Sequence, residues 1–270
     1  MMLDYRMTTA KKRFGQNFLI DPRKADSLVN ALEIAPSEQV IEVGPGTGVL
    51  TERLLQKGAR LISIELDRDL IKPLREKFGN DPNFMLVESD IVKVNPGLLA
   101  LDRFKLIGNL PYNISGAMIE WLIEYHRFVN MAVITVQKEV AARLRASPGI
   151  RDYGSLSVMV QSFFDIKRLF DLPPGCFSPK PKVNSSALSL IPNKNLPDDI
   201  EYPAFRDFLR ACFSKKRKTL ANSLAGASIR DYGNRADIEK TLIDLGFRPD
   251  IRAEQLALSN FLKLFRIIMR

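Results

Sequence analysis

Asn109-Leu110-Pro111-Tyr112 is the stretch of this chain best suited to chemistry on a flat, polar heterocycle. It follows a short apolar run, 104–108, that reads as a buried strand. An amide at the C-terminal end of a strand can accept from an exocyclic amino group. Pro111 stiffens the backbone beside it, and Tyr112 offers a ring on which a base can stack. Upstream, Gly44-Pro45-Gly46-Thr47-Gly48 ends an earlier strand and opens a helix. Its glycines permit a sharp turn and close approach of a ligand to the backbone. The spacing is GxGxG. It lacks both the GxGxxG of dinucleotide sites and the Gly-Lys-Ser/Thr ending of a P-loop, which disfavours pyrophosphate. Glu65 ends a second strand, where a carboxylate can accept both hydroxyls of a ribose and favours a cationic ligand. Asp90 follows a third and is placed to accept from an adenine amino group.

Taken together, Gly44, Gly46, Glu65 and Asp90 form a site for a nucleoside without phosphates, and S-adenosylmethionine is the natural candidate. Asn109–Tyr112, at the next strand end, then faces its methyl group. An adenine N6 lone pair is delocalised into the ring and attacks poorly. Bonds from N6–H to the Asn109 side-chain oxygen and to a backbone carbonyl near Leu110 or Pro111 localise it. Proximity and alignment do the rest, with no strongly shifted base required. Phe177, in a proline-rich run, is expected to cover the other face of the base, while Lys180 and Lys182 meet phosphates. Two basic runs, Lys11-Lys12-Arg13 and Lys215-Lys216-Arg217-Lys218, are expected to bind RNA phosphates rather than serve as solvated faces.

These residues need a sheet to hold them. Short β-rich runs at 39–43, 60–65, 84–88, 104–108 and 131–136 alternate with amphipathic stretches long enough for helical crossovers, which predicts a doubly wound, mostly parallel sheet. Runs at 166–171 and 184–190 raise the count to seven. Their proline-rich connection is too short for a helix, so these two are expected to be antiparallel. The segment 193–199 reads as a linker between a catalytic domain, 1–192, and a small all-helical domain, 200–270. In the latter, Phe205, Phe208, Leu209, Cys212 and Phe213 recur on one helix face. A helix over 236–245 closes on Gly246, and Ser259 is expected to cap a last one over 260–269.

Composition narrows the chemistry. The 270 residues carry a net charge of +9, with pI near 9.6, which favours a polyanionic partner. One histidine and two cysteines argue against a zinc site or a histidine-based nucleophile, so no metal is expected. No apolar run reaches membrane-spanning length, and residues 1–14 lack the apolar core of a secretory signal. A cytoplasmic monomer is expected.

The motifs, in order, resemble those of the small-subunit ribosomal RNA adenine N6,N6-dimethyltransferases: KKRFGQNFL at 11–19, EVGPGTGVLT at 42–51, IELD at 64–67, SDI at 89–91, GNLPYNIS at 108–115, FSPKPKV at 177–183 and KKRKTLANSL at 215–224. The resemblance runs nearly end to end. It implies a Rossmann-like class I methyltransferase fold using S-adenosylmethionine. It also implies two methyl transfers to each of two adjacent adenosines in the 3′-terminal hairpin loop of the small-subunit RNA, on a partly assembled particle. By the same resemblance, Asn17 and Leu19 join Gly44, Glu65, Asp90 and Asn109 as cofactor contacts. A sister family that methylates large-subunit RNA and confers macrolide resistance shares the Asn-Leu-Pro-Tyr type of motif, but KKRFGQNFL and KKRKTLANSL favour the small-subunit group. A mainly non-catalytic assembly factor is a further alternative, against which the intact Asn109–Tyr112 motif argues.

Overall fold

Residues 16–99, 102–194, 200–227 and 233–269 are described by the computed structural model. In chain order its first elements are β1 (Phe18–Leu19), α1 (Pro22–Ala31), β2 (Gln39–Val43), α2 (Val49–Gln56), β3 (Arg60–Glu65), α3 (Arg68–Phe78), β4 (Phe84–Glu88), β5 (Phe104–Asn109), α4 (Ser115–Glu124), β6 (Val129–Gln137) and α5 (Lys138–Leu144). There follow α6 (Ser155–Phe163), β7 (Phe164–Leu172), β8 (Phe177–Ser178), β9 (Ser185–Pro192), α7 (Tyr202–Cys212), α8 (Leu220–Ala225), α9 (Arg235–Asp244) and α10 (Leu258–Ile268).

Seven strands form one sheet in the order β4-β3-β2-β5-β6-β9-β7. The pairs among β2 to β6 are parallel, and β9 runs antiparallel to β6. From β2 the chain winds outward through β3 to β4, then returns to the other side of β2 with β5 and β6. The C-terminal ends of β2 and β5 therefore flank the crevice where winding reverses, the usual place for a ligand in an open α/β sheet. Register levels the residues that matter: Val43 lies opposite both Ile64 and Gly108. Gly44, Glu65 and Asn109 thus follow at one edge. Apolar burial fixes this arrangement. Leu28, Val29 and Leu32 around α1, with Leu50 and Leu54 of α2, close over Val40, Leu61, Ile107 and Val133 of the sheet. Leu70, Leu74 and Phe78 of α3 form a second cluster, with Phe18 and Phe84 against it.

Contacts divide the chain into two compact units, 1–141 with 165–192 and 142–164 with 193–270. A single boundary at 193–199 does not describe this division, because 142–164 goes with the C-terminal helices. The reason lies in α6, whose Ser157, Val158, Met159, Val160, Ser162 and Phe163 are all buried. A helix apolar around most of its circumference needs cover on several sides, and α6 packs against α7 and α10. Residues 195–199 of the expected linker lie outside the described residues.

Within the helical unit, Phe205, Phe208, Leu209 and Cys212 are buried on one face of α7 as expected, while Phe213 follows as its half-buried C-cap. Phe265 meets Phe205 and Phe208 at centroid distances of 5.1 and 5.4 Å. Gly246, at φ +80°, ends α9. There the Gly246 N–H reaches Ile243 O at 2.8 Å and the Phe247 N–H reaches Leu242 O at 2.9 Å, the paired bonds of a left-handed cap. The last helix starts earlier than expected, with Ala257 rather than Ser259 at its N-cap. The turn before it binds Arg252 N–H to Gln255 Oε1 at 2.9 Å and brings the chain into helix two residues sooner.

Candidate active site

The glycine loop after β2 turns on left-handed residues. Gly46 has φ +59°, and a Cβ there would stand 2.9 Å from the Phe18 ring, so neither the backbone nor the space admits a larger residue. The turn aims the Gly46 N–H at Glu65 Oε2, 3.2 Å away. Glu65 Oε1 accepts from the Leu66 and Asp67 N–H groups at 2.9 and 2.8 Å. Burial pushes the Glu65 carboxyl above its ordinary range, and the backbone N–H groups of Asp67, Gly46 and Leu66 pull the other way. Three of the roughly four lone-pair directions of a carboxylate are occupied, which leaves one on Oε2. Glu65 thus offers one acceptor position to a ribose as it stands, not the two expected.

At the neighbouring strand end, Asn109 Nδ2 donates to the Asn17 carbonyl at 2.8 Å. That bond uses the amide's donor side and assigns Oδ1 as the acceptor. Two backbone carbonyls were open as its companion. The Pro111 carbonyl accepts from the Ile114 N–H at 3.1 Å and the Ser115 hydroxyl at 3.4 Å. The Leu110 carbonyl accepts no hydrogen bond among the described residues. Leu110 thus has the carbonyl open to a further donor, and its buried side chain and its N–H to Thr135 O, 3.2 Å, hold it still. Tyr112 is half-buried, its phenol 2.7 Å from the Ser185 hydroxyl, and burial raises its pKa.

One cleft is lined by Asn17, Gly44, Gly46, Glu65, Asp90, Asn109, Leu110, Pro111 and Tyr112, as the sequence predicts. Asp90 also caps the following turn through Val92 N–H at 3.3 Å. Two expected site residues do not line it. Leu19 and Phe177 are 5% and 1% exposed and lie in the apolar core. The cause is a two-strand ladder. β1 and β8 pair antiparallel with Leu19 opposite Phe177 and Phe18 opposite Ser178, and opposed residues share a face. Leu19 and Phe177 take the core side, so Phe177 does not wall the base. Phe18 takes the cleft side instead, a residue the sequence reading passed over although it alternates with Leu19. Leu66 and Ile91 add further apolar lining, and Gln16 Nε2 binds Asp67 Oδ2 at 2.9 Å.

Among the described residues, no lysine or arginine lines this cleft, while Glu65, Asp67 and Asp90 do. An acidic, partly apolar cleft with a tight glycine turn fits a cationic nucleoside without phosphates, and repels pyrophosphate. Among the same residues, no helix is long and apolar enough to cross a membrane, and no acidic, histidine or cysteine cluster of three or more could hold a metal. The expected RNA contacts lie elsewhere. Lys180 and Lys182 are exposed, as are Lys215, Lys216, Arg217 and Lys218 between α7 and α8. These last four have no carboxylate partner among the described residues. Lys11, Lys12 and Arg13 lie outside the described residues.

The family model for "Ribosomal RNA adenine dimethylase" matches residues 7–268. The chain belongs to that family. A curated relative from Syntrophotalea carbinolica, named "Ribosomal RNA small subunit methyltransferase A", is 41% identical over 96% of each chain. Among solved structures, a dimethyladenosine transferase from Plasmodium falciparum superposes with a TM-score of 0.81 at 27% identity, covering 93% of this chain and 98% of that one. The 23S rRNA methyltransferase ErmE superposes with a TM-score of 0.70, also at 27% identity, over 94% and 100%. The mixed seven-stranded sheet is that of a class I methyltransferase, the activity is adenine dimethylation of ribosomal RNA, and S-adenosylmethionine is the methyl donor.

Proposed function

We propose that this dimethylase acts on small-subunit ribosomal RNA, placing two methyl groups on N6 of each of two adjacent adenosines in the 3′-terminal hairpin loop, on a partly assembled particle. It does so in the cytoplasm, as a monomer and without a metal. The small-subunit choice draws support from the relative at 41% identity, against 27% for the large-subunit enzyme ErmE.

The bond from Asn109 Nδ2 to the Asn17 carbonyl carries the reading of the site. With its nitrogen held, Asn109 presents Oδ1 to an amino group, and the Leu110 carbonyl presents a second acceptor. Two accepted bonds draw the N6 lone pair out of conjugation, which is what an aromatic amine lacks as a nucleophile. S-adenosylmethionine supplies an electrophilic methyl group on a sulfonium. Glu65 and Asp90 hold and orient it, and the acidic lining favours its positive charge. Tyr112 stacks on the base and holds it in line, so the step draws mainly on proximity. The alkylated amino group is acidic and gives its proton to water. After the first transfer a single N6–H remains, so Asn109 Oδ1 and the Leu110 carbonyl no longer act together in the second. Lys180, Lys182 and Lys215–Lys218 meet RNA phosphates, each contact steepening the salt dependence.

The test is methyl transfer. Purified protein with labelled S-adenosylmethionine is expected to label unmethylated small-subunit particles, with the label recovered as N6,N6-dimethyladenosine from the 3′-terminal hairpin. Label found only in large-subunit RNA would overturn the substrate assignment.

A further inference from the structure

We propose that Ser185 is a positioning residue for the dimethylation: its hydroxyl tethers the Tyr112 phenol and so fixes the ring on which the target adenine stacks. The inference rests on the adenine-methylating reading above. The two oxygens are 2.7 Å apart, and among the described residues Tyr112 has no other side-chain hydrogen bond.

The sheet holds Ser185 rigidly. It opens β9, is fully buried, and stands opposite Gln137 of β6. In the same ladder Thr135 pairs with both Asn109 and Ala187. Opposed residues share a face and residues two apart on a strand share it too. Ser185 therefore sits on the face that carries Asn109, one step beyond it. Tyr112, by contrast, opens a short 3-10 turn at the end of β5. Its backbone is set by the Ile114 N–H to Pro111 O bond of 3.1 Å, but its half-buried ring has two rotatable bonds. Anchoring the phenol converts attachment at one end into attachment at both. This also explains what the proline-rich run brings to the cleft. Phe177 at its start goes into the core, and Ser185 at its end reaches the tyrosine.

Dimethylation makes such a tether matter twice. The base must stay stacked while N6, already bearing one methyl, presents its remaining hydrogen. A ring that swings releases the monomethyl intermediate before the second transfer.

The experiment compares wild type, Ser185→Ala, Tyr112→Phe and the double variant on unmethylated small-subunit particles. Rates are followed, and mono- and dimethyladenosine are quantified by mass spectrometry. Each single variant is expected to lower kcat/KM for the particle about three- to tenfold, the worth of one hydrogen bond. Each raises the monomethyl share and leaves KM for S-adenosylmethionine unchanged. The double variant is expected to be no worse than either single, because both remove the same bond. Multiplying losses in the double variant would overturn the proposal, as would wild-type rate and product ratio in Ser185→Ala. Tyr112→Phe leaves Ser185 in place and carries the same test where Ser185→Ala does not fold. A readout free of RNA separates the two layers of inference. In protein labelled with 13C at tyrosine Cζ, Ser185→Ala is expected to move the Tyr112 resonance. An unmoved resonance refutes the tether, whereas failure of wild type on the particle refutes the substrate reading.

Discussion

Glu42 and Glu65 are both buried carboxyls on neighbouring strands, and they are solvated in opposite ways. Glu42, on β2, is sealed inside. Its Oε2 accepts from the Thr51 and Ser63 hydroxyls at 2.8 and 2.7 Å, while Oε1 has no partner among the described residues. Glu65, at the end of β3, collects three backbone N–H groups and lines the cleft. Hydroxyls on one oxygen leave half of a buried anion unsolvated, which costs more than they return. Burial accordingly pushes Glu42 up to about 7, with the Glu65 charge adding to the rise. The difference assigns the roles. Glu42 is a structural acid that keeps its proton below neutral pH, and Glu65, supplied with three backbone donors, is the carboxyl that faces the cleft.

The largest expected effect tests the proton on Glu42. Its pKa is raised on folding from 4.5 to about 7, so between these values the folded protein binds more protons than the unfolded chain. Stability must then fall as pH rises through that window. Glu42→Gln mimics the protonated acid and lacks this dependence. Relative to Glu42→Gln, wild type is expected to lose on the order of 3 kcal/mol between pH 4 and 8, from the size of the rise. Urea unfolding of both proteins across that range measures it. Parallel curves would mean that folding leaves the Glu42 pKa where it stands in the unfolded chain.

Next in size is the loss of the ligand-facing anion. Glu65→Gln keeps the shape but replaces an acceptor by a donor and removes the charge. Affinity for S-adenosylmethionine is expected to fall about ten- to a hundredfold, the range for a charge-assisted hydrogen bond. Calorimetry reads it directly. Glu42→Gln, assayed beside it, is expected to bind normally. Equal losses in the two would erase the distinction between a structural acid and a ligand-facing one.

The same contrast runs through what was legible in the sequence. Residues at the C-terminal ends of parallel strands were readable because a strand's end and a glycine turn leave little choice of direction. Gly44, Glu65, Asp90 and Asn109 all reach the cleft. The acid two residues before the first glycine was not singled out, since nothing in EVGPG says that Thr51 and Ser63 will meet Glu42 from a helix and another strand. The ladder of β1 and β8 was equally hidden. Two residues are too few to show a period, and their pairing joins positions 18 and 178. Only that pairing decides that Leu19 and Phe177 turn inward while Phe18 turns to the cleft. The passage of 142–164 to the helical unit was hidden for a related reason. The burial of α6 on most sides is a property of its neighbours, and residues 142–164 carry no composition shift to announce it.

The smallest effect sharpens the comparison at its source. If hydroxyl donors are what keep Glu42 from rising further, removing one must raise it. Thr51 is fully buried, and its bond to Glu42 lowers the carboxyl's pKa. Thr51→Val keeps the volume and deletes the donor. The window in which stability falls should then extend to higher pH, because the folded state holds its proton longer while the unfolded chain is unchanged. At pH 8 the variant is expected to be less stable by about 1 kcal/mol, the usual net worth of one hydrogen bond. Below pH 5, where the acid is protonated in both proteins, the hydroxyl still meets Oε2 but solvates no charge, so the cost should shrink. A cost that stays constant from pH 5 to 8 would show that the hydroxyl supports packing alone, and the proton on Glu42 would need another cause.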